Sequence, residues 1–224
     1  MQSAEKHKRK ILITGAAGFI GFHLARRLLQ ESGDGADIVG IDNLNGYYDP
    51  ALKLARLREL GVTIADGTTP EGECIEEFRS EIWPAFTFCK IDIADDDAIM
   101  ALMVRHGFDV VFHLAAQASA RYSTVNPRSY LKSNLAGFLN VLEGCRLNGV
   151  GHLIFASSSS VYGMSEKLPY REDDDASRPV SLYAATKRSN ELMAHSYAAV
   201  YGLPVTGLRF FSVYGPWGRP DMSP

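Results

Sequence analysis

The segment TGAAGFIG, residues 14–21, restricts this chain more than any other. It lies between an apolar run at 10–14 and a helical pattern at 18–30, so the chain passes from strand to helix through a very short turn. Such a turn needs a residue free to take positive φ, the role assigned to Gly15. A glycine at the helix start lets backbone N–H groups approach a pyrophosphate, whose charge the helix dipole favours. Gly18 and Gly21 complete the pattern, with Phe19 and Ile20 between them. A glycine triad alone also occurs for packing, but here the next apolar run, 37–41, ends on Asp42, 27 residues after Gly15. A carboxylate there suits the two ribose hydroxyls of NAD and repels the 2′-phosphate of NADP. The expected ligand is NAD, and Asn43 beside Asp42 is placed in the same site.

The rest of the chain keeps this rhythm. Strand candidates at 10–14, 37–41, 86–91, 110–114, 152–157 and 205–209 alternate with helical patterns at 18–30, 95–105, 127–148 and 181–201. Continuous apolar strands such as VVFHLAA and HLIFASS fit a sheet covered on both faces. The fold class read from this is α/β, a doubly wound Rossmann-type parallel sheet with helices on both faces. Two stretches interrupt it. Residues 43–84 are long for a connection and are read as a helix near 49–60 followed by an exposed insertion at 66–73. Residues 167–179 read as a loop whose acidic run, 172–175, is solvated. At 224 residues the chain suits one large domain or one domain plus part of another. The division expected is a Rossmann domain at 1–209 and the start of a second, substrate-binding domain at 210–224.

Composition removes several function classes. Lysine and arginine number 23 against 26 aspartate and glutamate, a net charge of −3, so no basic field exists to hold nucleic acid. Cys74, Cys89 and Cys145 are widely spaced, with no CxxC pair and no histidine at metal-ligand spacing, so no metal is expected. The polar N-terminus and the lack of an apolar run of membrane-spanning length lead to the expectation of a soluble, cytoplasmic chain without a membrane partner.

A second constellation carries the chemistry. Tyr183 and Lys187 stand four apart on a predicted helix, so phenol and ammonium share one face. A nearby cation favours tyrosinate and brings the phenol toward the range of a general base. FASSSSVYG (155–163) ends a strand about 25 residues earlier and offers hydroxyls at the carboxyl edge of the sheet, where ligands of such folds bind. Asp92, with Ile93, closes another strand; its carboxylate suits an adenine amino group or the start of a helix, and both readings stand. Arg121, in a post-strand loop, is a candidate for an anionic substrate group or an exposed side chain. His113 reads as a packed neighbour of the cofactor loop.

TGAAGFIG, HLAAQ, SSSSVYG and YAATK together resemble the extended short-chain dehydrogenase/reductase family. The longer segments IDNLNGYYDPALKLARL, NPRSYLKSNLAGFLNVLEGCR, SLYAATKRSNELMAHSYAAVYGLP and LRFFSVYGPWGRPDM are similar to those of UDP-glucuronate 4-epimerases, over nearly all of residues 8–222. The resemblance implies Tyr183 as general base, Lys187 on the nicotinamide ribose, and Ser158 on the reacting sugar hydroxyl. It places Asn134, Phe211 and the backbone of Leu114, Ala115 and Ala116 against the cofactor. Ser159, Ser212 and Arg219 fall at substrate positions.

The implied reaction is NAD-dependent epimerisation of a UDP-sugar through a transient 4-keto sugar, most closely UDP-glucuronate to UDP-galacturonate. Ser158 is followed by Ser159 and Ser160 with no carboxylate, which argues against a dehydratase. Decarboxylation of a 4-keto uronate remains the competitor, as does another nucleotide-sugar epimerase. In this family the helices at 127–148 and 181–201 pair between subunits, so a homodimer is expected. Such epimerases continue for roughly another third of their length past GRPDMSP. Two classes of reading follow, an epimerase and an NAD-binding module without turnover, and apolar surface is expected to be exposed near 210–217.

Overall fold

A computed structural model describes residues 8–64 and 75–222; the insertion expected at 66–73 and Cys74 lie outside the described residues. Seven strands form one sheet: β1 (Arg9–Thr14), β2 (Ala36–Asp42), β3 (Glu77–Arg79), β4 (Phe86–Lys90), β5 (Val110–His113), β6 (His152–Ser158) and β7 (Val205–Phe210). Their order is β3-β4-β2-β1-β5-β6-β7. Every pair is parallel except β3 with β4. The helices are α1 (Phe19–Ser32), α2 (Pro50–Glu59), α3 (Asp96–His106), α4 (Pro127–Tyr130), α5 (Gly137–Leu147) and α6 (Leu182–Tyr201).

Side chains alternate across the central strands and divide the core in two. Ile11 and Ile13 of β1 and Ile38 of β2 join Phe22, Leu29 and Leu57 on the face covered by α1 and α2. Leu12 and Val39 join Leu102, Phe138 and Leu142 on the other face, under α3 and α5. Because β5 returns beside β1 on the side away from β2, the connections leaving β1 and β5 diverge. That divergence opens a crevice at the carboxyl ends of the strands. Among the described residues, no helix is long and apolar enough to cross a membrane.

Local sequence explains the element ends that matter for the site. Asp49 caps α2 by accepting from the Ala51 N–H, and Asp95 caps α3 through the Ala98 N–H. Ser181 accepts from the Ala184 N–H, so α6 begins just ahead of Tyr183.

The structure departs from the sequence expectation in three places. β3 was not expected; three residues on an antiparallel edge are too few to show a strand period. The single helix expected over 127–148 is broken by a π-helical stretch, Leu131–Ala136. Its wider turn carries Asn134 inward to 1% exposure. The apolar surface expected near 210–217 is present at Tyr214, 91% exposed, and Phe211, 58% exposed, but Trp217 departs from it by packing edge-on against Phe22.

Candidate dinucleotide and acid–base site

A cavity of about 290 Å³ runs along the crevice. The glycine turn supplies Gly15, Gly18, Phe19, Ile20 and Gly21, and the end of β2 supplies Asp42 and Asn43. Ile93, Leu114, Ala115 and Ala116 floor it, Ser158, Tyr183 and Lys187 stand beyond them, and Phe211, Ser212 and Arg219 form the outer wall. Four expected residues do not line it. Asp92 accepts from Ala94 N–H (3.0 Å) and the Lys132 ammonium (2.9 Å). Burial would raise its pKa, but these two donors hold it below the usual carboxylate range. Asn134 sits behind the floor, bonded to both backbone groups of Gln117 and to the Thr186 hydroxyl. Arg121 is exposed at the start of a 3₁₀ turn, and Ser159 begins the turn after Ser158.

The acid–base end differs electrostatically from the expectation. Burial pushes the Tyr183 phenol above its ordinary value, while a hydrogen bond with the Ser158 hydroxyl and the Arg219 charge pull it down. Lys187 is 2% exposed and donates to the Ala156 carbonyl at 3.0 Å. Burial lowers its pKa to about 8, so the ammonium stays mostly charged near neutrality and loses its proton only above that.

Asp42 shows a feature the glycine pattern does not reveal. Its Oδ1 accepts from the Leu44 N–H (2.9 Å) and from the Lys53 ammonium (3.1 Å), and both ionic side chains are buried. Asp42→Asn should therefore weaken NAD about tenfold and narrow the preference over NADP, because the Lys53 ammonium, keeping Asn45 but losing its counter-ion, now faces a 2′-phosphate. Parallel titrations with the two dinucleotides check this; an unchanged affinity ratio contradicts the role given to Asp42.

Beneath the floor, the Thr14 hydroxyl accepts from the N–H groups of Leu114 (3.2 Å) and Ala115 (3.1 Å). Its own proton is then directed to His113 Nδ1 at 2.9 Å, which places the ring proton on Nε2. Burial, together with the Lys187 charge, lowers the His113 pKa to about 3. His113 is thus a neutral packed residue, as read from the sequence. The unfolded chain protonates this histidine below its ordinary value of 6.5 while the folded chain does not. Folding stability should fall as pH drops from about 6.5 toward 3, by up to about 1.4 kcal/mol per pH unit. Denaturant titrations from pH 7 to 5 should show this slope, and His113→Gln should flatten it.

A family profile described as NAD dependent epimerase/dehydratase matches residues 11–224. The chain belongs to this family. CapI of Staphylococcus aureus is 47% identical over 214 residues, covering 96% of this chain and 57% of that protein. UDP-glucuronate 4-epimerase 4 of Arabidopsis thaliana is 46% identical over 217 residues, 95% of this chain and 44% of the plant protein. Among solved structures, UDP-glucuronic acid 4-epimerase from Bacillus cereus, in complex with UDP-glucuronic acid and NAD, superposes with a TM-score of 0.79 at 35% identity. That match covers 95% of this chain and 60% of the other. The chain thus spans about half the length of the curated relatives it matches.

Within this member of the epimerase/dehydratase family, the sequence reading missed two supports, one half-buried and one fully buried. Glu191 accepts from Ser157 (2.6 Å), Arg188 (2.7 Å) and both donors of the Arg209 fork (2.8 and 2.9 Å). It lies four residues beyond Lys187, on the Tyr183–Lys187 face of α6, so the same spacing signal extends to it. Arg56 is fully buried and donates to the Ala17 carbonyl (2.9 Å), the Tyr48 hydroxyl (2.6 Å) and the Trp217 carbonyl (2.6 Å). No local pattern announces it, because two of its three partners are backbone carbonyls distant in sequence.

Proposed function

We propose that this chain carries the cofactor and acid–base half of an NAD-dependent nucleotide-sugar 4-epimerase, with UDP-glucuronate and UDP-galacturonate as the pair interconverted. The single observation that carries the reading is the convergence of Ser158, Tyr183 and Lys187 with Ser212 and Arg219 on the cavity that the glycine turn opens. The residues present fit the cofactor. Only glycine lets the turn close as tightly as it does, since a Cβ on Gly15 or Gly18 would lie 2.8–2.9 Å from backbone atoms of the chain itself, and the turn lines the cavity. Asp42 stands at the ribose end and Lys187 at the other. NAD supplies reversible hydride acceptance, which leaves the reaction redox-neutral and independent of an outside oxidant.

The chain's own residues divide the remaining work. Tyr183 takes the proton of the sugar hydroxyl and returns it, Ser158 holds that hydroxyl against the phenol, and Lys187 binds a ribose. Arg219 presents a positive charge to an anionic substrate group while also favouring the tyrosinate. Its ion pair with Asp221, at 3.2 Å, is the partner that such a group would replace. Residues 210–224 are read as the first part of the sugar-binding half. Apolar side chains left exposed on the two long helices, among them Leu131, Leu139 and Leu192, support a homodimer through those faces.

A second reading is a dinucleotide-binding module without turnover, favoured by the burial that holds the Tyr183 phenol above its ordinary value. Incubation with UDP-glucuronate and NAD, followed by separation of the nucleotide sugars, decides between them. UDP-galacturonate is the expected product. A UDP-pentose makes the protein a decarboxylase, and bound NAD with no product favours the module.

A further inference from the structure

Among the described residues, three buried side-chain nitrogen atoms lack a hydrogen-bond partner: His106 Nε2, Gln117 Nε2 and Arg219 Nε. His106 lies beside Glu77, at 3.3 Å, away from the site. The other two belong to residues lining the same cavity. Arg219 Nε at least faces Asp221. The Gln117 amide, in a residue 6% exposed, has only the Tyr130 hydroxyl beside it and no acceptor in hydrogen-bond geometry. A buried N–H without an acceptor is costly, so its persistence beside a ligand cavity calls for an acceptor from the ligand.

The residue is also held in place. Its backbone N–H donates to Asn134 Oδ1 at 2.8 Å, and its carbonyl accepts from Asn134 Nδ2 at 3.0 Å. The Tyr130 hydroxyl clamps the next two carbonyls, Ala118 at 2.7 Å and Ser119 at 2.5 Å. Ser119 keeps a left-handed φ of 84° there. The Gln117 amide lies beside that Tyr130 hydroxyl, without hydrogen-bond geometry to it. Tyr130 in turn meets the Tyr183 ring edge-on, with centroids 6.1 Å apart. The unpartnered donor therefore sits at the acid–base end of the cavity rather than at the glycine turn.

We infer that Gln117 is a substrate-binding residue whose amide donates to an oxygen on the sugar ring of the nucleotide sugar. Hydroxyl, keto and carboxylate oxygens all offer the lone pair it needs. The inference rests on the nucleotide-sugar reading above. Its test is calorimetric titration of UDP-glucuronate into the NAD-loaded protein and into Gln117→Met, a near-isosteric change without the donor. The variant should bind the sugar nucleotide about tenfold more weakly. NAD affinity should be unchanged, and the melting temperature unchanged or raised, since a desolvated donor has been removed. Gln117→Glu places a carboxylate at the same point and should weaken UDP-glucuronate more than UDP-glucose.

Equal UDP-glucuronate affinity in wild type and Gln117→Met overturns the inference and leaves the proposed function intact. A loss confined to NAD binding overturns it too, by assigning the donor to the cofactor. A lowered melting temperature with unchanged sugar affinity makes Gln117 a structural partner of Tyr130. Wild-type protein that binds NAD but no UDP-glucuronate sinks the nucleotide-sugar reading itself, and the inference with it.

Discussion

Tyr183→Phe should leave a protein that folds and binds NAD but turns over UDP-glucuronate at least about a thousandfold more slowly. The change deletes one oxygen and leaves the ring of the side chain in place. Ser181 still caps α6, the ring still meets Tyr130, and Lys187 still bonds to Ala156. Among the described residues, the hydrogen-bond partner lost is the Ser158 hydroxyl. Stability should therefore change by no more than about 1 kcal/mol. The proton acceptor, however, is gone. Single-turnover product formation measures the loss, and NAD titration confirms the retained cofactor. Since burial holds the phenol high, the wild-type rate should climb as pH rises through neutrality and beyond, as the tyrosinate fraction grows. A Phe variant with near wild-type turnover would remove Tyr183 from the chemistry.

Among the described glycines, Gly21 is where an added methyl group is expected to do the most damage. A Cβ there would lie 2.1 Å from the Gly15 carbonyl oxygen, and the obstacle is backbone that cannot rotate away. That same oxygen accepts from the Gly18 N–H at 2.9 Å and so closes the turn, while Gly15 itself holds φ +73°. Relief requires moving either the turn or the first turn of α1, which together present the backbone to the pyrophosphate. A destabilisation of ~3 kcal/mol is expected, with NAD binding lost. In a domain of this size that lowers the melting temperature by roughly 10 °C. Gly35→Ala is the control, because a Cβ there meets nothing within 4 Å. If Gly21→Ala melts like Gly35→Ala and still binds NAD, the close packing of turn and helix is not what the cofactor needs.

Much of this architecture was legible because its signals are local. The strand–turn–helix at 10–30 combines apolar period, turn glycine and helix start within one stretch, and α2 announces itself through Asp49 and Pro50. Tyr183 and Lys187 share a face by spacing alone. What escaped was set by contacts between distant segments. Asp42 read correctly as a strand-end acid, yet its pairing with Lys53 depends on how α2 packs beneath it. Asn134 was expected against the cofactor, but the π stretch turns it to hold Gln117 from behind. The electrostatic sign at Tyr183 was also hidden, because burial is a property of the assembled site and cannot be read from a spacing of four.

The reach of Arg56 gives the two ends of the crevice a common fate. One buried guanidinium grips the carbonyl of Ala17 in the glycine turn and that of Trp217, two residues before Arg219. Whatever steadies one of these carbonyls limits the motion of the other. The backbone that faces the dinucleotide and the backbone that carries Arg219 are thus held at a fixed spacing by a single side chain, so a change at position 56 should be felt at both ends of the crevice at once.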